Sequence, residues 1–211
     1  MADQGFLKSN LKGFRKRPFF KRYSFNLMFI IFIFSLSGCA TPTTFRVLDA
    51  ETKQPIEGAV ALAEWTSSSG LPGLSHTDTV KVAEDVSDSE GKLTIPGTIG
   101  FNALQTPHIK VYKPGYVGWD SRRIYLGYRG DNITRTRTKK RSNFVMKNQD
   151  IFLEPWDDEK HSYISHGNFI STTADFLEAG MRSDDSKYRK AIEYEVPFYL
   201  KEDEMLRTRG Y

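Results

Sequence analysis

The sequence predicts a mainly β chain, a β-sandwich with an α-helical extension at its C-terminus. Three observations carry this. Between Thr44 and Leu153, seven or eight short apolar segments follow one another, divided by Pro, Gly, Asp and Ser turn signals. Short strands at that spacing fit two packed sheets. After Trp156, the apolar period lengthens to that of a helix.

The first segment is not part of this pattern. Lys8, Lys12, Arg15, Lys16, Arg17, Lys21 and Arg22 stand against the single acid Asp3, ahead of the apolar run Phe25–Leu36. A basic start, a short apolar stretch and small residues at its end make a secretory signal. The stretch is shorter than the ~20 residues a membrane-spanning helix needs. It closes on Leu36-Ser37-Gly38-Cys39, which holds the only cysteine in the chain. The competing reading is a chance cysteine beside an uncleaved anchor. The order of basic region, apolar region, small residues and the polar stretch Ala40-Thr41-Pro42-Thr43 favours export. This divides the chain into a signal (1–38), a tether (39–43), a sandwich (44–156) and a helical extension (157–211).

Within 44–156, Phe45 and Val47 fall on one face of the first strand, and Glu51-Thr52-Lys53-Gln54-Pro55 makes a turn. Ala59-Val60-Ala61-Leu62-Ala63 is apolar on both faces, as in a strand covered on both sides. Ser67–Gly73 reads as a loop, and Thr79–Val86 as a strand alternating through Val80 and Val82. Asp88-Ser89-Glu90-Gly91 supplies a turn before Lys92–Ile95. His108–Tyr112 and Ile151–Leu153 are clear strands, Arg123–Leu126 and Asn143–Met146 weaker ones. The expected core is Phe45, Val47, Leu62, Val82, Leu93, Val111 and Leu153.

Beyond Trp156, Phe169, Ile170, Thr173, Phe176, Leu177, Gly180 and Met181 recur at helical spacing. Ser183-Asp184-Asp185 offers a cap for a second helix through Tyr188, Ile192 and Val196. Pro197 suits the first turn of a last helix reaching Arg207.

Two resemblances follow from these residues. Leu36-Ser37-Gly38-Cys39 resembles the bacterial lipobox, which implies cleavage before Cys39, diacylation of its thiol and usually acylation of its amine. Multiple acyl chains at ~0.8 kcal/mol per buried methylene give firm anchoring. Ala40 is not aspartate, so enteric-type sorting implies the outer membrane, facing the periplasm. Phe45-Arg46-Val47-Leu48-Asp49 with Pro55-Ile56-Glu57-Gly58-Ala59-Val60, Asp88–Leu93 and Lys110–Tyr116 resembles carboxypeptidase regulatory-like domains. These are transthyretin-like Greek-key sandwiches that serve mostly as non-catalytic attachments. One transthyretin relative, hydroxyisourate hydrolase, has His-Val-Leu-Asp where this chain has Arg46-Val47-Leu48-Asp49. Arginine stays protonated and cannot act as the base. Tyr128-Arg129-Gly130-Asp131 is similar to that enzyme's terminal motif but is internal here.

The net charge of +4 belongs to the signal. Residues 39–211 carry 23 basic and 25 acidic side chains, so nothing points to nucleic acid. The charge is uneven, however. Arg122, Arg123, Arg129, Arg135, Arg137, Lys139, Lys140, Arg141 and Lys147 lie within 26 residues that hold one acid, Asp131. Such a block is a solvated loop or a patch for anionic lipid, lipopolysaccharide or cell-wall polymer. Tyr125 and Tyr128 beside it would stack on sugars or fill a sheet edge. His161 and His166 are five apart near Asp157, Asp158 and Glu159, a poor spacing for helical metal ligands. Ser165 and His166 are sequence neighbours and point apart, and no Gly-x-Ser-x-Gly elbow is present. No cofactor is implied. The expectation is a non-catalytic envelope lipoprotein, a binding or scaffolding module for an anionic polymer or another envelope protein. The competing class is a hydrolase using a His/acid site near the sandwich–helix junction.

Overall fold

The computed structural model describes residues 41–71, 74, 76–97, 106–129, 132–171 and 186–208, without the side chains of Asp78 and Arg129. All belong to the unit Cys39–Tyr211. The signal, Cys39, and the helical positions Thr173, Phe176, Leu177, Gly180 and Met181 lie outside the described residues, as does Ser183-Asp184-Asp185.

Nine strands are described: β1 (Thr43–Asp49), β2 (Val60–Ser69), β3 (His76–Val86), β4 (Lys92–Ile95), β5 (His108–Tyr112), β6 (Trp119–Asp120), β7 (Arg123–Arg129), β8 (Asn132–Lys140) and β9 (Gln149–Leu153). They form one sheet in the order β4-β1-β9, a second in the order β3-β2-β5-β6, and a two-stranded ribbon, β7-β8. The pair β1–β9 is parallel and the others are antiparallel. The alternation of β1 sends Phe45 and Val47 inward, where they meet Leu93, Ile95, Ile151 and Leu153 of the same sheet. Ala61, Ala63, Trp65, Ile109 and Val111 face them from the second sheet. The chain is a β-sandwich with C-terminal helices.

Gly91 closes the turn before β4 with φ +74°, and its carbonyl accepts the Val47 N–H at 2.8 Å. A Cβ there would lie 2.4 Å from the Val47 carbonyl oxygen, so only glycine fits. Asp88 holds the same turn by accepting the N–H groups of Glu90 and Lys92, each at 2.9 Å.

Several expectations need correction. Leu62 and Val82 belong to the opposite face of the second sheet, in the layer beneath the helices. β2 is buried on both faces, and alternation alone cannot say which side is which. Ser67–Ser69 is strand, paired with Asp78–His76 beyond the end of the sandwich. Hydrogen bonds Ser68–Thr77 (2.9 Å) and Ser69–His76 (3.2 Å) extend it there. Val80 is the extra residue of a bulge, because Trp65 pairs with Lys81 and Thr66 with Thr79. It is 42% exposed. Asn143–Met146 is irregular, although Phe144 and Met146 still pack on the core. The strand after β7 is instead the basic stretch Asn132–Lys140.

The extension contains α1 (Tyr163–Ile170), α2 (Lys187–Ile192), a 3-10 turn (Glu193–Glu195) and α3 (Val196–Thr208). Ser186 caps α2 by accepting the Arg189 N–H. Glu84 of β3 reinforces this end by accepting from Lys187 N–H (2.8 Å) and Tyr188 N–H (3.1 Å). Ser162 caps α1. Glu202 of α3 also accepts there, from the N–H groups of Tyr163 and Ile164 at 3.1 Å each. Phe169, Ile170 and Tyr188 close over Val60, Leu62 and Tyr112 of the second sheet. Each buried side chain of this size contributes ~1.5–3 kcal/mol. Pro197 stands in the first turn of α3, where its missing N–H costs no helical bond.

Candidate functional sites

The junction of sandwich and helices buries an acid–imidazole pair. His166 of α1 is fully buried, with Nδ1 2.9 Å from both carboxylate oxygens of Glu195. Its Nε2 lies 2.8 Å from the Gly118 N–H. An amide can only donate, so Nε2 carries the lone pair and Nδ1 the proton given to Glu195. Tyr112 donates its hydroxyl to Glu195 Oε1 at 2.9 Å. Burial first, then the charge of Glu195, pushes the Tyr112 phenol far above its ordinary range. The imidazole accepts from Gly118 and donates to Glu195, so no lone pair faces a substrate. Ser165 points elsewhere, its Oγ 2.5 Å from the Tyr125 hydroxyl and 3.2 Å from the Ser162 carbonyl. It forms no nucleophile–base pair with His166.

His161 precedes α1 and borders a polar cleft of about 420 Å³, with Tyr128, Arg137, Glu154 and Lys160 on other walls. Its Nδ1 accepts the Asp157 N–H at 3.1 Å, and Nε2 is 3.9 Å from Glu154 Oε1. Burial holds its pKa below the ordinary 6.5. The Glu154 charge opposes this and nearby His166 adds to it. The unfolded chain therefore binds this proton more readily, and the contribution to stability is complete above pH 6.5 and lost as pH falls through the folded value. Urea midpoints of wild type should fall more steeply from pH 6.5 to about 5 than those of His161→Gln. Parallel curves would remove His161 from the acid response.

A third polar group was hidden in strand register. Glu64 pairs with His108 and Lys110 with Asp120 across the second sheet. His108 Nε2 lies 2.9 Å from Asp120 Oδ2, and Nδ1 is 3.7 Å from Glu64 Oε2. Burial lowers the Lys110 pKa, and its ammonium donates to the Ser171 carbonyl. Burial would raise the Asp120 pKa, yet it lies below its ordinary value because His108 and the N–H groups of Arg122 and Arg123 hydrogen-bond the carboxylate. The signal in the sequence was the charged side of an alternating strand, Glu64 and Lys110, inside a sheet covered on both faces. Among the described residues, no group of three or more His, Cys, Asp or Glu side chains is placed to hold a metal.

The basic block is the β7–β8 ribbon. One side of the ribbon meets α1: Tyr125 is buried, and Thr136 Oγ1 donates to the Ser165 carbonyl at 2.7 Å. Tyr125 is thus a packing residue, unavailable to a sugar. Arg135, Arg137 and Lys139 alternate with Thr136 and Thr138, forming an exposed row along β8. Arg137 donates to the Leu126 carbonyl at 2.9 Å. Arg122, Arg123, Lys140 and Arg141 stand at the open end of the ribbon, where Arg123 pairs with Lys140, whereas Arg129 pairs with Asn132 beside the turn. Arg123 lies 3.7 Å from Asp120 Oδ2, and its guanidinium is 5.7 Å from the Phe169 ring centre. Arg141 donates through Nε to the Asp120 carbonyl at 2.8 Å and covers Trp119 at 4.6 Å. Arg122 and Lys140 join Arg141 around a cleft of about 410 Å³. Lys147 is exposed, in the irregular segment before β9. The structure thus separates the block into an outer row and a group at the foot of the ribbon.

No family model and no curated protein matches the chain. Among solved structures, the chain is similar to the C-terminal domain of the shaft pilin spaA from Lactobacillus rhamnosus GG. Identity is 19%, the match covers 55% of this chain and 98% of the pilin domain, and the TM-score is 0.26. A 9R-lipoxygenase from Cyanothece PCC8801 matches at 17% identity over 56% of this chain and 17% of its own, and an (S)-allantoin synthase at 12% over 65% and 52%. Both have TM-scores of 0.26.

Proposed function

We propose that this chain is a bacterial envelope lipoprotein, held by acylated Cys39, whose sandwich presents the β7–β8 ribbon to an anionic envelope surface or polymer. The carrying observation is the exposed row Arg135, Arg137 and Lys139 on a ribbon braced against α1. Among the described residues, none of these three forms an ion pair. A tether at residues 39–43 keeps that row near an anionic leaflet, where each cation adds ~1 kcal/mol. The anchor rests on Leu36-Ser37-Gly38-Cys39, and the outer-membrane destination on Ala40. Binding is favoured over catalysis because Gly118 occupies the lone pair of His166.

The test has two arms. In the native host, Cys39→Ser should move the full chain out of the membrane fraction. Lipid-free residues 40–211 should bind vesicles of anionic phospholipid or of lipopolysaccharide, and do so more weakly as salt shortens the ~8 Å screening length. Arg135→Ser/Arg137→Ser/Lys139→Ser should weaken that binding by about tenfold or more at unchanged melting temperature. Membrane retention of Cys39→Ser would sink the anchor. Salt-independent binding, or none, would sink the ribbon reading.

A further inference from the structure

At the foot of the ribbon, two clefts share one wall. The cleft of about 410 Å³ is bordered by Arg122, Lys140, Arg141, Ser121 and Phe144. The second, about 200 Å³, lies against Trp119, Arg141, Asn143, Phe144, Gln149 and Asp150. Arg141 and Phe144 border both. The first contains three cations and no acid. In the second, Asp150 is engaged by Arg46 through two hydrogen bonds of 3.1 and 2.9 Å, which offsets its charge.

The shared wall is built. Trp119 and Phe144 meet edge to face at 5.4 Å, and Phe144 stacks on core residue Phe45 at 6.2 Å. Arg141 is fixed by its bond to the Asp120 carbonyl and by the Trp119 ring. A guanidinium held in one plane loses little freedom on meeting a planar carboxylate, which its fork matches. Among the described residues, neither Arg122, Lys140 nor Arg141 forms an ion pair. Phe144 rests one face on Phe45 and borders both clefts beside cations that form no ion pair, with the amides of Asn143 and Gln149 nearby, a wall that suits a ligand both ring-shaped and anionic. The carbon–hydrogen face of a pyranose stacks on an aromatic ring, while its hydroxyls seek amides and its carboxylate seeks arginine.

We infer that this double cleft is a binding site for acidic sugar units of a polysaccharide, with Phe144 as the stacking platform and Arg122, Lys140 and Arg141 holding the carboxylate. The inference rests on the proposed anionic-polymer reading and gives it a ligand class and a site distinct from the outer row. Charge alone would accept any polyanion. The aromatic wall makes the site select a charged ring.

The experiment uses residues 40–211 and three soluble probes: oligogalacturonate, a neutral galactan oligomer of equal length, and poly(glycerol phosphate), which is anionic but has no ring. Calorimetry should show oligogalacturonate binding at least tenfold more tightly than either control. Arg122→Ser/Lys140→Ser should weaken oligogalacturonate by about tenfold, the effect of losing roughly 1.4 kcal/mol. Phe144→Leu keeps an apolar side chain against Phe45. It should lower oligogalacturonate affinity several-fold and leave poly(glycerol phosphate) unchanged. Arg135→Ser/Arg137→Ser/Lys139→Ser should change oligogalacturonate less than twofold. If that outer-row variant abolishes binding and the cleft variants do not, the inference fails and the ribbon reading stands. Equal binding of poly(glycerol phosphate), indifferent to Phe144→Leu, also overturns it. Failure of every anionic probe, together with anionic phospholipid and lipopolysaccharide, overturns both.

Discussion

Val111→Asp is expected to abolish cooperative unfolding of residues 40–211. Val111 is fully buried on β5, paired with Ala61 on one side and Trp119 on the other, and faces the sheet that carries Phe45 and Val47. The change removes ~1.5–3 kcal/mol of apolar burial. It also puts a carboxyl where only hydrocarbon surrounds it, which costs several kcal/mol more even if the group stays protonated. A domain's whole net stability is ~5–15 kcal/mol. Val111→Ala provides the graded control: roughly 2 kcal/mol lost, with the melting transition still sharp. A wild-type melting temperature for the aspartate variant would mean that β5 does not face the core.

Glu195→Ala should lower the melting temperature by roughly 10 °C, since breaking a buried pair costs ~3–5 kcal/mol and each kcal/mol shifts a chain of this size by ~2–4 °C. Glu195 receives both Tyr112 O–H and His166 Nδ1–H. Without it, two buried donors have no acceptor, and the bonds that join the 3-10 turn to β5 and α1 are gone. Glu195→Gln should lose less, because its amide oxygen still accepts from one donor. Limited proteolysis should then cleave the helical extension of the alanine variant before the sandwich. Unchanged melting of Glu195→Ala would show that the extension is held by its apolar contacts alone.

Much of the sandwich was legible because its strands obey local rules. Phe45 and Val47 alternate with Arg46, and Asp88–Gly91 can only turn. The two-sided apolar run of β2 announced a strand covered on both faces. It did not say that Leu62 would serve the helices and Ala61 the sandwich, because that choice depends on partners far away in the chain. Val80 was misread for a related reason: the bulge at Trp65/Thr66 is a property of the pair of strands.

The candidate sites divide along the same line. Residues 36–39 and the cation density between Arg122 and Lys147 are properties of sequence, and no fold is needed to see them. By itself the sequence determined the strand-rich middle, the switch to helix after Trp156, and the presence of a basic block. Only tertiary structure decided that Asn132–Lys140 is a strand: its alternating threonines suit one, but beyond Ile133 the run has no apolar face to fix a register until Tyr125 and Ser165 offer Thr136 a buried side to join. Tertiary structure also brought Glu195 to His166 and Arg141 to Trp119. These contacts join residues 29 and 22 positions apart, at spacings set by where sheets and helices cross and by no local period.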